Sequence, residues 1–87
     1  MEEHGFLEQI QESVLGFVRN EIFDPSAGIE TDTHLIEAGL DSFSLLKILV
    51  FVEKTFDLRI PESEISEERM CSVGNISALI HELLEKK

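Results

Sequence analysis

The sequence predicts an all-α domain: a small four-helix bundle with three main helices, one short helix and a long first loop. Two segments carry apolar residues at helical spacings of three and four, and a third is apolar almost throughout. The strand-like run from Leu58 to Ile60 is too short and isolated to build a sheet. With 87 residues and no internal repeat, the chain is predicted to form one domain over residues 1–87.

The first helix is predicted over residues 4–20, with one apolar face. That face holds Leu7, Ile10, Val14, Phe17 and Val18. Turn-forming residues at 24–28 then end the helix. The connection over residues 24–40 is long for a compact domain, and loops of this length are often functional. Leu35 and Ile36 are expected to pack into the core and pin this loop.

The second helix is predicted from Ser42 to Phe56, and its apolar residues cover more than one face. They are Phe43, Leu45, Leu46, Ile48, Leu49, Val50, Phe51, Val52 and Phe56. Such a helix is either nearly surrounded by its neighbours or presents part of its surface to a partner or ligand.

A short helix or turn is predicted over residues 62–70, with Ile65 and Met70 pointing inward. Ser72 is the expected N-cap of the last helix. The apolar residues of that helix recur at spacings of three and four: Val73, Ile76, Leu79, Ile80, Leu83 and Leu84. Lys86 and Lys87 suit the negative end of its dipole.

Charge and composition restrict the classes of partner. The net charge is −11, from 18 acidic residues against 7 Lys and Arg, which argues against binding to nucleic acid or anionic membranes. It favours protein partners with basic docking surfaces. The start of the chain shows no signal peptide, no apolar run reaches the ~20 residues of a membrane span, and Cys71 has no disulfide partner. A monomeric cytoplasmic protein is expected.

The stretch Gly39–Ser42 stands where a glycine-containing loop meets the apolar second helix. Ser42 is expected to be exposed at this tip, where another enzyme could modify its hydroxyl. With Phe43 after it, the stretch resembles the phosphopantetheine attachment site of acyl carrier proteins. The resemblance covers nearly the whole chain. Its anchors are Thr33–Ser42 before the site, Phe56–Pro61 after the second helix and Met70–Ile76 at the start of the last helix.

The resemblance implies a carrier rather than an enzyme. A phosphopantetheinyl transferase would attach 4′-phosphopantetheine covalently to Ser42. Acyl intermediates of fatty-acid, polyketide or specialised lipid biosynthesis would then travel on the arm as thioesters, between ligase, ketosynthase or acyltransferase enzymes. The expected partner-binding residues are Glu37, Leu40, Asp41, Phe43, Lys47, Val50 and Glu53. The expected lining of an acyl-chain cleft is Leu46, Leu49, Val50, Ile60, Ile65 and Ile80, for which ordinary core packing is the competing interpretation.

Some residues depart from the family pattern. Phe43 stands where Leu is usual, and Ser44 and Lys47 stand where acids are usual, which favours a specialised carrier with dedicated partners. An aminoacyl or D-alanyl carrier and an unmodified carrier-fold interaction module are the alternatives. Leu40 favours the acyl carrier over the aminoacyl one, because carriers of the peptide-synthetase type usually have a second glycine in the approach.

Catalytic and metal-binding interpretations are disfavoured. Ser42 lacks the Gly-x-Ser-x-Gly turn of a serine hydrolase. A calcium loop beginning at Asp24 would have Ile29 at its required glycine and Leu35 at its required glutamate. Cys71 lies in no CxxC motif, and no paired Cys/His spacing suggests zinc, so no metal site is expected.

Overall fold

The computed structural model describes residues 2–86, with side chains from Phe6 onward. Its α-helices are α1 (Glu2–Phe17), α2 (Leu35–Ala38), α3 (Ser42–Phe56) and α4 (Val73–Lys86). No strand occurs within residues 2–86, so the predicted all-α class is confirmed. In this same range, no helix is both long and apolar enough to cross a membrane. Lys87, predicted to favour the end of the last helix, lies outside the described residues.

Helix α1 packs against α4 and supplies one side of the core. Ile10 and Val14 are fully buried on its inner face, as its apolar spacing predicts. After Phe17 the helix widens into a π-helical turn, Val18–Ile22, so the predicted end at residue 20 falls inside this turn. Val18, at the start of this turn, is fully buried and continues the face of Ile10 and Val14 at a spacing of four residues.

The long connection after α1 is held by backbone hydrogen bonds to the start of α4. The Leu35 N–H donates to the Cys71 carbonyl at 2.7 Å, and the Gly74 N–H donates to the Thr31 carbonyl at 3.0 Å. Leu35 is fully buried, as predicted. Ile36 was expected in the core but is 40% exposed, because one step along the short helix α2 turns its side chain about 100° away from Leu35.

The predicted short helix over residues 62–70 is a 3₁₀ turn, Glu62–Glu64, followed by further turns. Ile65 leaves helical geometry with ψ 100°, and the Ser66 hydroxyl accepts the Arg69 N–H at 3.2 Å. Met70 is buried and Ile65 half-buried, so their inward orientation is confirmed. The short helix of the bundle is therefore α2, within the long loop.

Arg69 joins this turn region to α4. Its guanidinium lies 2.9 Å from Glu82 on α4 and 3.4 Å from Glu64 in the 3₁₀ turn. The hydrogen bond from Arg69 lowers the pKa of Glu82, and the same bond raises the pKa of Arg69. These contacts lie at the surface and help to place the segment that forms one wall of the pocket described below.

Candidate functional site

A tight turn sets the direction in which the chain enters α3. Gly39 has φ +120°, a conformation that residues with a side chain rarely adopt. The Gly39 N–H donates to the Ile36 carbonyl at 3.1 Å, and the Leu40 N–H donates to the Leu35 carbonyl at 2.9 Å. These bonds close α2, and the glycine allows the chain to turn directly into the next helix.

Asp41 is the N-cap of α3. Its carboxylate accepts the Ser44 backbone N–H at 2.8 Å. This backbone hydrogen bond, supported by one from the Ser44 side chain and more weakly by the charge of Lys47, holds the pKa of Asp41 below its ordinary value. With Asp41 as the cap, Ser42 is the first residue of the helix.

Ser42 is exposed at the first position of α3, as the sequence predicts. Beside it lies an open pocket of about 490 Å³ between α2, the start of α3 and the 65–70 segment. Its walls are mostly apolar with a polar rim: Ile36, Leu40, Asp41, Ser42, Leu45, Ile65, Ser66, Glu67 and Met70. A group tethered to Ser42 would therefore have an adjoining surface to lie against.

The predicted acyl-chain cleft is only partly assembled. Ile65 lines the pocket beside Ser42. Ile60 and Ile80 are instead buried in the core, and Leu49 is a partly buried residue that packs against this core. Close packing leaves these three side chains away from the pocket, so the competing interpretation, core packing, describes them better.

The prediction that Leu46 and Val50 line an interior cleft is wrong. Leu46 is 56% exposed and Val50 is 48% exposed, on the outer side of α3. Ile48 and Val52 are the residues of this helix that are fully buried, and the turn of the helix places Leu46 and Val50 on a different side. Val50 was also predicted to bind partners, and its exposure is compatible with that role.

The other predicted partner-binding residues lie around Ser42, with one exception. Glu37, Asp41, Phe43 and Lys47 are exposed, and Leu40 is half-buried at the pocket. Glu53 is half-buried, and its carboxylate accepts the Ile60 backbone N–H at 3.0 Å. The carboxylate of Glu53 therefore stabilises the loop after α3, a structural role that the sequence did not indicate.

A second surface feature was not predicted as a site. It is an open groove of about 340 Å³ between the end of α1 and the outer side of α3. The groove is lined by Phe17, Leu46, Lys47, Val50 and Phe51. The rings of Phe17 and Phe51 stack with centroids 4.2 Å apart. The excess of apolar residues on α3 was the sequence signal for it, but that signal did not indicate which side was uncovered.

The family model "Phosphopantetheine attachment site" matches residues 7–80. The chain belongs to the phosphopantetheine attachment site family. The predicted membership of the carrier-domain family is confirmed. The predicted cofactor, a 4′-phosphopantetheine attached covalently to a serine, is confirmed as well. Members of this carrier-domain family are not themselves catalytic. That Ser42 is the serine in question stays a prediction from the local sequence and geometry.

Among proteins similar to this chain are two carriers of Bradyrhizobium diazoefficiens. Aminoacyl carrier protein 2 is 30% identical over 79 residues, which are 88% of this chain and 89% of that protein. Aminoacyl carrier protein 1 is 31% identical over 55 residues, which are 63% of this chain and 61% of that protein.

A solved structure has a similar fold. It is the crystal structure of Bradyrhizobium japonicum glycine:[carrier protein] ligase complexed with glycylated carrier protein. The matched chain superposes with a TM-score of 0.66 at 27% identity, over 85% of this chain and 97% of that one. Both named relatives are thus aminoacyl carriers, and the carrier protein in the solved complex is glycylated.

Proposed function

We propose that this protein is an aminoacyl carrier. An amino acid is held as a thioester on a 4′-phosphopantetheine arm attached to Ser42, and an amino-acid ligase loads it. The observation that carries the proposal is the exposed Ser42 hydroxyl at the start of α3, in a chain that matches an aminoacyl carrier over 88% of its length. The glycine:[carrier protein] ligase complex of the solved relative supports a ligase as the loading partner.

The shape of the bundle also favours a small cargo. Ile60 and Ile80, which an interior acyl-chain cleft would need, are packed into the core at 4% and 0% exposure. The two cavities described above are open grooves at the surface. An aminoacyl group is short and carries an ammonium, so it gains nothing from an apolar interior. A long acyl chain would be sheltered poorly here.

The chain's own contribution is to present one hydroxyl. The Ser42 oxygen forms the new bond to the pantetheine-linked phosphate of coenzyme A as the pyrophosphate P–O bond breaks. Adenosine 3′,5′-bisphosphate leaves, and the Ser42 proton passes to a base of the transferase. The turn at Gly39 and the cap by Asp41 hold Ser42 at an exposed helix start, so the transferase meets a fixed nucleophile. Once attached, the arm supplies a terminal thiol that holds the amino acid and brings it to each docked enzyme at high effective concentration.

The proposed partners are a phosphopantetheinyl transferase and an amino-acid ligase, followed by an enzyme that consumes the aminoacyl group. Near Ser42 the carboxylates of Glu37 and Asp41 are exposed, which suits basic residues around the arm entrance of these enzymes. A monomeric state and a cytoplasmic location belong to the same proposal.

Two measurements test the function. The first is the intact mass after incubation with coenzyme A and a promiscuous phosphopantetheinyl transferase, beside Ser42→Ala. One added phosphopantetheine on the wild type, absent from the variant, is expected. Addition to both proteins would assign another serine, and addition to neither would favour an unmodified interaction module.

The second measurement asks which cargo is loaded. The holo-protein is incubated with ATP and either glycine with the Bradyrhizobium japonicum glycine:[carrier protein] ligase, or a fatty acid with an acyl:carrier ligase. A glycyl mass increment that hydroxylamine removes is expected. If only the fatty acid were loaded, the protein would be an acyl carrier and the aminoacyl proposal would be wrong.

A further inference from the structure

The outer side of α3 carries an apolar patch that the bundle does not cover. Phe43, Leu46 and Val50 recur at helical spacing and are 70%, 56% and 48% exposed. They span about 10 Å along the helix at 1.5 Å per residue. The patch begins one residue after Ser42, so an enzyme that holds the arm there also approaches this patch.

The patch contains a groove that is bordered by two stacked aromatic rings. Leu46 and Val50 form its α3 side, and the stacked rings of Phe17 and Phe51 support it. The volume of about 340 Å³ is enough for one large apolar side chain, and all of the lining residues except Lys47 are apolar. Stacked aromatic rings lose little freedom on binding, which favours this groove as a site for an interface anchor.

Lys47 gives the patch a charge that is unusual for this chain. It is exposed at the rim of the groove, with its Nζ 5.8 Å from the centroid of the Phe43 ring. The net charge of the chain is −11, so a basic partner is attracted to the molecule as a whole but repelled at this point. A complementary partner surface therefore has basic residues opposite Glu37 and Asp41. It also has an apolar side chain opposite the groove and, next to that side chain, a carboxylate opposite Lys47.

We propose that the groove between Phe17 and α3 receives a large apolar side chain of the ligase that loads the amino acid, and that Lys47 pairs with a carboxylate beside that side chain. The inference rests on the proposed function, since it concerns the partner that loads Ser42. It adds that the ligase selects this carrier by apolar contact and a reversed charge, rather than by basic residues alone.

The test uses holo-protein and the Bradyrhizobium japonicum glycine:[carrier protein] ligase, with glycine and ATP. Leu46→Ala is compared with Phe6→Ala, which truncates another exposed apolar side chain that lies on α1 against His81. Lys47→Glu is compared with Arg59→Glu, which makes the same charge change beyond the C-terminal end of α3. Intact mass and the thermal midpoint show that each variant carries the arm and is folded.

We expect Leu46→Ala and Lys47→Glu each to lower kcat/KM for loading about tenfold, mostly through KM, as the loss of an interface anchor does. Phe6→Ala and Arg59→Glu should stay within about twofold of the wild type. Equal effects of the paired variants would overturn the inference while leaving the proposed function intact. No loading of the wild type would overturn the proposed function and the partner assigned here together.

Two further results would assign the groove to another occupant. If Leu46→Ala slowed only the transfer of phosphopantetheine and left loading unchanged, the occupant would be the transferase. If sedimentation showed a wild-type dimer that Leu46→Ala dissociates, with unchanged loading, the occupant would be a second copy of this chain. Either result would overturn the proposal.

Discussion

Helices α3 and α4 are similar in length, 15 and 14 residues, but differ in where their apolar residues lie. The fully buried apolar residues of α4 are Val73, Ile76, Leu79 and Ile80. On α3, Ile48 and Val52 are fully buried, whereas Phe43, Leu46 and Val50 are exposed. Helix α4 packs along α1, while Leu46 and Val50 on the outer side of α3 stay about half exposed beside Phe17 at the end of α1. The apolar residues of α4 therefore mainly stabilise the core, whereas several of those on α3 form an exposed apolar surface.

The largest expected effect on the free energy of unfolding comes from truncating a buried side chain of α4. Leu79→Ala removes a fully buried side chain and leaves a cavity in the core, which should lower the free energy of unfolding by about 2–5 kcal/mol. Chemical denaturation followed by circular dichroism measures this loss. A change below about 1 kcal/mol would mean that the core collapses around the site.

The caps of the two helices extend the comparison. Ser72 is buried, and its hydroxyl accepts the Asn75 N–H at 3.1 Å at the start of α4. Ser72→Ala should cost about 1 kcal/mol in the free energy of unfolding, because it leaves that N–H without its cap. Ser63→Ala, at an exposed position in the 3₁₀ turn, is the matched control and should be close to neutral. Equal losses in both variants would mean that the Ser72 cap adds nothing.

The cap of α3 is exposed and ionised, so its contribution depends on pH. The pKa of Asp41 is lowered in the folded protein, so the stabilisation is present above the ordinary carboxyl value of 3.8 and is lost as pH falls through the lowered pKa. Asp41→Asn keeps an oxygen acceptor but removes this dependence. The thermal midpoint of wild type minus variant, measured from pH 6 down to pH 2, should shrink on acidification. A constant difference would contradict the assignment.

The smallest effect is expected on the open side of α3. Phe43 is 70% exposed, so Phe43→Ala should change the free energy of unfolding by no more than about 0.5 kcal/mol. The same denaturation assay compares it directly with Leu79→Ala. A loss as large as that of Leu79→Ala would show that the patch stabilises the bundle and is not free for a partner.

Local sequence signals identified much of the site. The predicted bounds of the second helix, Ser42 to Phe56, are those of α3, because a glycine turn and a cap define its start and Asp57, with φ 54°, ends it. The Ser72 cap and the inward Leu35 and Met70 were also predicted correctly. Each of these depends on neighbours within a few residues along the chain.

The missed features depend on contacts between distant segments. The short helix or turn predicted after α3 is present as the 3₁₀ turn Glu62–Glu64, but helix α2 within the long loop was not predicted. Helix α2 is stabilised by the bond from the Leu35 N–H to the Cys71 carbonyl. Glu53 was expected to bind partners, yet its carboxylate accepts the Ile60 N–H. Neither contact has a signature in the local pattern.

The sequence by itself determined the all-α class and the exposed serine before an apolar helix, because caps, glycine turns and apolar periodicity are local properties. The carrier family was predicted from the resemblance of the motifs around Ser42 to those of known carriers. The tertiary structure alone decided which apolar residues of α3 face the core. A helix that is apolar on several sides can be placed in more than one rotation, and α1 and α4 select one of them by close packing. That selection leaves Leu46 and Val50 outside, beside Phe17, and so forms the groove that begins one helical turn after Ser42.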